Sequence, residues 1–269
     1  MSPGFLAHVG VRLQAGEPGL AACSLRVGPP HLNPGSRLHG AVVMTLHEAA
    51  MAQALRAAAP PAPGARVLPL SSHYEFLAAA QPGEEVTARA RVTRASRTVV
   101  FIDSELTGPQ GLLSTARGLY GLTSAPPGEA VPSALPAGHV RSPSPADAFS
   151  RHAGPLYEKP CEGARSFGAV ELLPHHDSPG AFGGPLDLLR LLGDVCLGRA
   201  AERASGGRPE VTLALTFQYL GELRVGDVVA ATATACGVTP LGAALTGEFH
   251  VGDRLVATAS GAWKYIGTR

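Results

Sequence analysis

The sequence predicts an α+β protein made of two tandem repeats, each an antiparallel sheet wrapped around one long central helix. Three observations carry this. The order strand, helix, four strands occurs twice, on either side of a segment in which Pro, Ala and Ser dominate. Gly40 to Phe76 spans 36 residues, and so does Gly183 to Tyr219; Phe76-Leu77 and Tyr219-Leu220 each lead to a Gly-acid pair, Gly83-Glu84 and Gly226-Asp227. Two long helical runs are also apolar on nearly every side, as helices enclosed by a sheet must be. The expected division is residues 1–122 for the first repeat, 123–160 for the linker and 161–269 for the second repeat.

In the first repeat, Gly19–Val27 alternates as a strand, and a Gly/Pro-rich turn follows through Gly35. The run after Gly40 is rich in Ala, Leu and Met and has no internal Pro or Gly before Pro60, so it predicts a helix from Gly40 to about Ala58. Val67–Leu77, Glu85–Thr93, Thr98–Leu106 and Leu112–Leu122 are short runs rich in β-formers, separated by turn signals such as Gln81-Pro-Gly83. From Thr123 to Pro145 no hydrophobic period survives, and the prolines predict an extended, semi-rigid connection. In the second repeat, Ser166–Leu173 is the first strand, and the turn residues Ser178-Pro-Gly180 and Phe182-Gly183-Gly184 follow. A helix from about Pro185 to Arg203 and the strands Val211–Leu220, Asp227–Ala235, Gly242–Val251 and Arg254–Tyr265 complete it.

Composition narrows the function classes. Of 269 residues, 22 are basic and 21 acidic, with no block of like charge. That argues against nucleic acid or an anionic membrane as the main partner. The high Ala, Gly and Pro content reads as a GC-rich bacterial coding bias. Cys23, Cys161, Cys196 and Cys236 form no CxxC pair and sit at no metal-ligand spacing, so they are expected as buried small hydrophobes in a reducing cytosol. The N-terminal residues lack a basic region and a long apolar core, and no apolar run is long enough to span a membrane. A cytoplasmic protein is expected, with no metal or redox cofactor. The His175-His176-Asp177 cluster has no second ligand group at suitable spacing.

The segment Asn33-Pro-Gly-Ser-Arg-Leu-His39-Gly40 followed by Glu48 is the chemically informative one. Gly40 stands where the unpaired N–H groups and positive dipole end of a helix point outward. Glu48 is a carboxylate inside an apolar run, and burying it costs several kcal/mol (on the order of 3–5 if unpaired) unless it is paired or used. A base or nucleophile near a helix N-terminus is the equipment of a hydrolytic site.

These residues resemble the signature of the phenylacetate-pathway type of acyl-CoA thioesterase, a hotdog-fold family. That family has an Asn, a His-Gly-Gly six residues on, and an Asp or Glu nine residues after the His. Here Asn33, His39 and Glu48 keep both spacings, and Ala41 replaces the second Gly. The resemblance covers most of residues 5–122 and makes the whole chain a tandem double hotdog. In the second repeat, Phe182-Gly183-Gly184 replaces His-Gly-Gly and Leu191 stands at the place of the acid. That half is more similar to the C-terminal repeat of the acyl-CoA thioesterase II family, whose site uses an Asp, a Thr and a Gln. Asp194 and Thr212 match the first two, and Gly261 stands at the Gln position.

The resemblance implies an acyl-CoA thioesterase with one working site per chain. Glu48 would be general base or nucleophile, and the N–H of Gly40 or Ala41 the oxyanion donor. Asn33 and His39 would hold the loop. Thr212, or behind it Ser71 and Ser72, would orient water, and Asp194 is a secondary candidate. Arg37, Arg66, Arg94 and Arg97 are candidates for the CoA phosphates. Acyl-CoA is the expected partner, and further association into a homo-oligomer is expected. A hotdog dehydratase or hydratase and a non-catalytic acyl-CoA-binding module are the alternatives; His31, Glu48 and Gln53 only faintly resemble the dehydratase helix.

Overall fold

A computed structural model describes residues 4–14, 17–58, 65–142, 147–177 and 185–267. The elements in chain order are α1 (Phe5–Val9), β1 (Arg12–Gln14), β2 (Leu20–Arg26), α2 (Gly40–Ala58), β3 (Arg66–Phe76), β4 (Glu85–Ala95), β5 (Val99–Gly108) and β6 (Gly111–Thr123). There follow β7 (Val140–Arg141), α3 (Ala148–Ala153), β8 (Leu156–Glu162), β9 (Arg165–Glu171), α4 (Leu186–Ala204), β10 (Glu210–Tyr219), β11 (Val228–Val238), β12 (Gly242–Val251) and β13 (Arg254–Tyr265). Short 3-10 turns at Pro29–His31 and Pro174–His176 precede the two long helices.

The strands form one sheet in the order β1-β2-β4-β5-β6-β3-β10-β13-β12-β11-β9-β8-β7, with every pairing antiparallel. The two repeats join at its middle, where β3 pairs with β10 from Glu75↔Ala214 to Ser71↔Gln218. Helix α2 packs on β2, β4, β5 and β6, helix α4 packs on β8 to β13, and the helices touch each other. Burial of Met44, Leu46, Met51 and Leu55 from α2 stabilises the first repeat by about 1.5–3 kcal/mol per side chain. Leu188, Leu189, Leu191, Leu192 and Leu197 do the same for the second.

The internal symmetry reaches the level of register. Pro69 faces Tyr120 and Thr212 faces Trp263, and each pair is followed by the same one-residue shift, past Leu70 in one repeat and Leu213 in the other. It also reaches segments in which the sequence shows no period. Within 123–160 lie β7 and α3, and β8 begins there at Leu156; β8 pairs with β9, and β7 forms the edge of the second half-sheet. Helices α1 and α3 meet through His8 and His152, whose rings stack at 4.1 Å, and each ring's Nε2 bonds the other residue's backbone carbonyl, at 2.7 and 3.0 Å. His176 is buried, accepting the Leu173 N–H at Nδ1 and bonding the Ala153 carbonyl. His31 does the same with Gly28 and Val9. The turn residues Ser178 to Gly184, including Phe182-Gly183-Gly184, lie outside the described residues. Among the described residues no helix is long and apolar enough to cross a membrane.

Candidate active site

Helix α2 begins at Gly40, directly after a turn held by Asn33. The Asn33 side-chain oxygen accepts from Arg37 N–H at 3.0 Å, its backbone N–H donates to the Arg37 carbonyl at 2.8 Å, and Ser36 takes a positive φ of 58° to close the loop. His39 is buried at the helix start, and the Ala41 N–H donates to its Nδ1 at 3.0 Å. The first turn of a helix leaves N–H groups without intrahelical carbonyls, so this end is set up to receive negative charge.

The negative charge comes from the other repeat. Asp194, on the third turn of α4, lies with Oδ2 3.4 Å from His39 Nδ1. A β-carbon added at Gly40 would sit 2.8 Å from the same oxygen, so only glycine leaves room for this approach. Thr212 on β10 donates its hydroxyl to Asp194 Oδ1 at 3.0 Å. On the far side of the imidazole, His39 Nε2 meets Asp147 Oδ2 at 3.2 Å. Asp147 caps α3, accepting from Ser150 N–H at 3.0 Å and from the Ser150 hydroxyl.

Burial opposes every charge in this row, and partners decide the outcome. For His39, burial would favour the neutral ring, yet the two facing carboxylates outweigh it and raise its pKa above the usual histidine value. Asp147 is also opposed by burial but is held down to about 2 by His39 and the two Ser150 donors. Asp194 is raised by its burial, with His39 and Thr212 pulling the other way. A single nitrogen cannot accept and donate at once. Neutral His39 accepts the Ala41 N–H at Nδ1; as an imidazolium it donates from Nδ1 toward Asp194, which then also takes the Ala41 N–H.

His39, Gly40, Asp147, Asp194 and Thr212 line one cavity of about 1060 Å³ between the repeats. Leu38, Val43, Phe76, Leu106 and Leu113 supply apolar wall, while Arg37, Arg141, Arg151 and Arg199 supply positive charge. Asn33 lines it as well. Gly40→Ala is therefore expected to lower kcat/KM for the site's reaction about 100-fold by displacing Asp194, with little change in Tm. Steady-state kinetics beside a thermal melt check this.

Glu48 is elsewhere. It does not line this cavity. Ser72, Tyr74 and Tyr120 donate hydroxyls to it at 2.8, 2.5 and 2.9 Å, and Arg190 of α4 pairs with its Oε2 at 3.1 Å. Arg190 in turn pairs with Asp187 and donates to the Tyr219 hydroxyl. Neighbouring His47 is turned the other way, between Ser104 and Ser114. The structure thus brings together Asn33, His39, Gly40, Asp194 and Thr212, and leaves Glu48 and Ser72 in a separate buried cluster. Ser71 pairs with Gln218 on the seam. At Gly261 a β-carbon would lie 2.5 Å from the Ala214 carbonyl and 2.6 Å from the Trp263 ring, so a Gln side chain has no space there. Of the predicted arginines, Arg37 lines the cavity, whereas Arg66 pairs with Glu222, and Arg94 and Arg97 are exposed and do not line it. Sequence reasoning passed over Asp147, whose signal is an N-capping Asp three residues before Ser150. It also passed over Glu210, which opens β10 and lines the same cavity.

Residues 35–115 match the family described as the thioesterase superfamily. No curated protein matches the sequence. The TesB protein of Mycobacterium avium subspecies paratuberculosis is 17% identical, with a TM-score of 0.71 over 98% of both chains. An acyl-CoA thioesterase II of Mycobacterium marinum is 14% identical, with a TM-score of 0.66 over 98% of this chain and 97% of that one. A hotdog-fold protein of Alicyclobacillus acidocaldarius is 16% identical, with a TM-score of 0.67 over 96% of each.

Proposed function

We propose that this chain, a double hotdog that matches the thioesterase superfamily over residues 35–115, hydrolyses acyl-CoA thioesters in the cleft between Gly40 and Asp194. The observation that carries the proposal is the seating of Asp194 Oδ2 against Gly40, which puts a buried carboxylate from one repeat at the helix start of the other, inside a cavity.

The chemistry follows from the parts. The thioester carbonyl points at the start of α2, where the Gly40 N–H receives the developing oxyanion. Such a donor contributes about 3–4 kcal/mol to the transition state. Asp194 takes the proton from the attacking water. Burial raises its pKa, which strengthens it as a base, against the opposing pull of His39 and Thr212. The Thr212 hydroxyl donates to Asp194 and keeps its lone pairs for that water, which fixes the direction of attack. Asp147 holds His39 in place from the opposite side. Asn33 shapes the turn that presents the helix start. The apolar wall suits an acyl chain, and Arg37 with Arg141 suits the phosphates of the leaving group.

In this reading Glu48, to which the sequence motif pointed, has a structural role, and the working acid is Asp194. Release of free thiol across a panel of acyl-CoA esters tests the activity. Turnover of at least one ester is expected. No release from any ester rules the hydrolase out, and hydration of an enoyl-CoA instead would assign the cleft to the dehydratase class.

A further inference from the structure

We propose that Glu210 is a further catalytic residue of this cleft, the acid that protonates the departing thiolate. This rests on the hydrolytic reading above and adds the second half of the reaction to it.

The geometry is a row of carboxyls along one wall. Asp194 and Gly198 lie one turn apart on the same face of α4. Glu210 and Thr212 lie two residues apart on β10, on the same side of the strand. The Glu210 carboxyl is seated over Gly198, where a β-carbon would come within 2.9 Å of its Oε1 and 3.6 Å of Trp263 Nε1. Both Gly198 and Glu210 line the cavity that holds Asp194 and Gly40. The cavity therefore offers two acids, one at the helix start with donor partners and one further along the wall.

Their surroundings set them apart. Asp194 is also raised by burial, but His39, the Thr212 hydroxyl and the Ala41 N–H all act against that rise. Glu210 faces Asp194 and Glu202 from α4, His39 from the start of α2 and Tyr265 across β13, where Arg208 stacks on the Tyr265 ring. Burial first, then the two acids, push its carboxyl up to about 7, against the opposing pull of His39. It thus retains a proton near neutral pH, as a general acid must.

The steps balance. Water gives its proton to Asp194 as its oxygen bonds to the carbonyl carbon, and the carbonyl electrons move to the oxyanion. When the carbonyl reforms, the C–S bond breaks and its electron pair goes to sulfur. Glu210 supplies the proton that turns this thiolate into the thiol. Asp194 then passes its proton on, directly or through solvent, to Glu210, and both return to their starting forms.

Glu210→Gln and Glu210→Asp, read against wild type in single-turnover assays, test this. Two thioesters of one acyl group serve as substrates, the CoA ester and an aryl thioester whose thiolate leaves without a proton. Glu210→Gln is expected to lose about 100-fold on the CoA ester and under about 3-fold on the aryl ester. Wild-type turnover of the CoA ester should fall as pH rises through the Glu210 pKa. Glu210→Gln should lack that fall and Glu210→Asp should restore it. Equal losses on both esters, or an unchanged alkaline fall in Glu210→Gln, overturn the assignment while leaving the hydrolase reading intact. Absence of thiol release by the wild-type protein overturns both.

Discussion

Asp194→Asn is expected to lower kcat on acyl-CoA by about 10²–10⁴-fold, the range for loss of a positioned general base, with a smaller change in KM. The amide keeps the volume of the carboxyl, so Gly40 and Thr212 stay where they are and only the proton acceptor is lost. Glu48→Gln, assayed at a temperature where the variant remains folded, is expected to keep turnover within about 3-fold of wild type, because it removes no group from the cleft. A loss in Glu48→Gln as large as that in Asp194→Asn would return the chemistry to Glu48 and sink the Asp194 assignment. The comparison is sharp because the two acids sit on equivalent central helices, one turn out of register with each other. Leu191 occupies the place of Glu48, and Met51 occupies the place of Asp194.

Glu48→Leu should instead appear as a loss of stability. Its carboxylate, mostly covered, is the counter-charge of the buried Arg190 at the junction of the repeats. Burial alone would lower the Arg190 pKa, yet Glu48 and its neighbours raise it well above the ordinary arginine value. Removing one partner of a buried pair costs about 3–5 kcal/mol; in Glu48→Leu the guanidinium keeps Asp187, so the lower end of that range is expected, whereas Arg190→Leu strands both acids. Chemical denaturation should therefore give a clearly lower midpoint for Glu48→Leu and for Arg190→Leu. The double variant Glu48→Leu/Arg190→Leu should lose less than the sum of the two single losses, since Glu48 and Arg190 are removed together and only Asp187 is left without its counter-ion. If the two single losses simply add in the double variant, the pair does not act as a unit.

How far the site was legible depends on what kind of contact each part needs. The turn at Asn33 is local: its side chain bonds a backbone group four residues away, and turn chemistry in the sequence is enough to predict it. The bounds of α2 are local as well, set by Gly40 and by the absence of breakers before Pro60. The pairing of Glu48 with its own helix start is not physically available. Glu48 lies eight residues down α2 from Gly40, about 12 Å along the axis at 1.5 Å per residue. An acid that far down the helix cannot reach its own N-terminus, so the carboxylate that meets this helix start comes from another element. Which acid that is depends on how α4 crosses α2. Asp147 was hidden for a related reason: its segment has no period, and its role appears only once α3 lies against His39.

The amino-acid sequence by itself determined the two repeats, their helices and strands, and the loop that presents a helix N-terminus, because propensity, turn chemistry and hydrophobic period act over a few residues. Tertiary structure alone decided which carboxylate would meet that N-terminus. Packing the two halves around the β3–β10 seam brings Asp194 to Gly40 and encloses Glu48 with Arg190. Both outcomes follow from one physical fact: a buried charge must find a partner across the interface, and only the packed interface specifies which one.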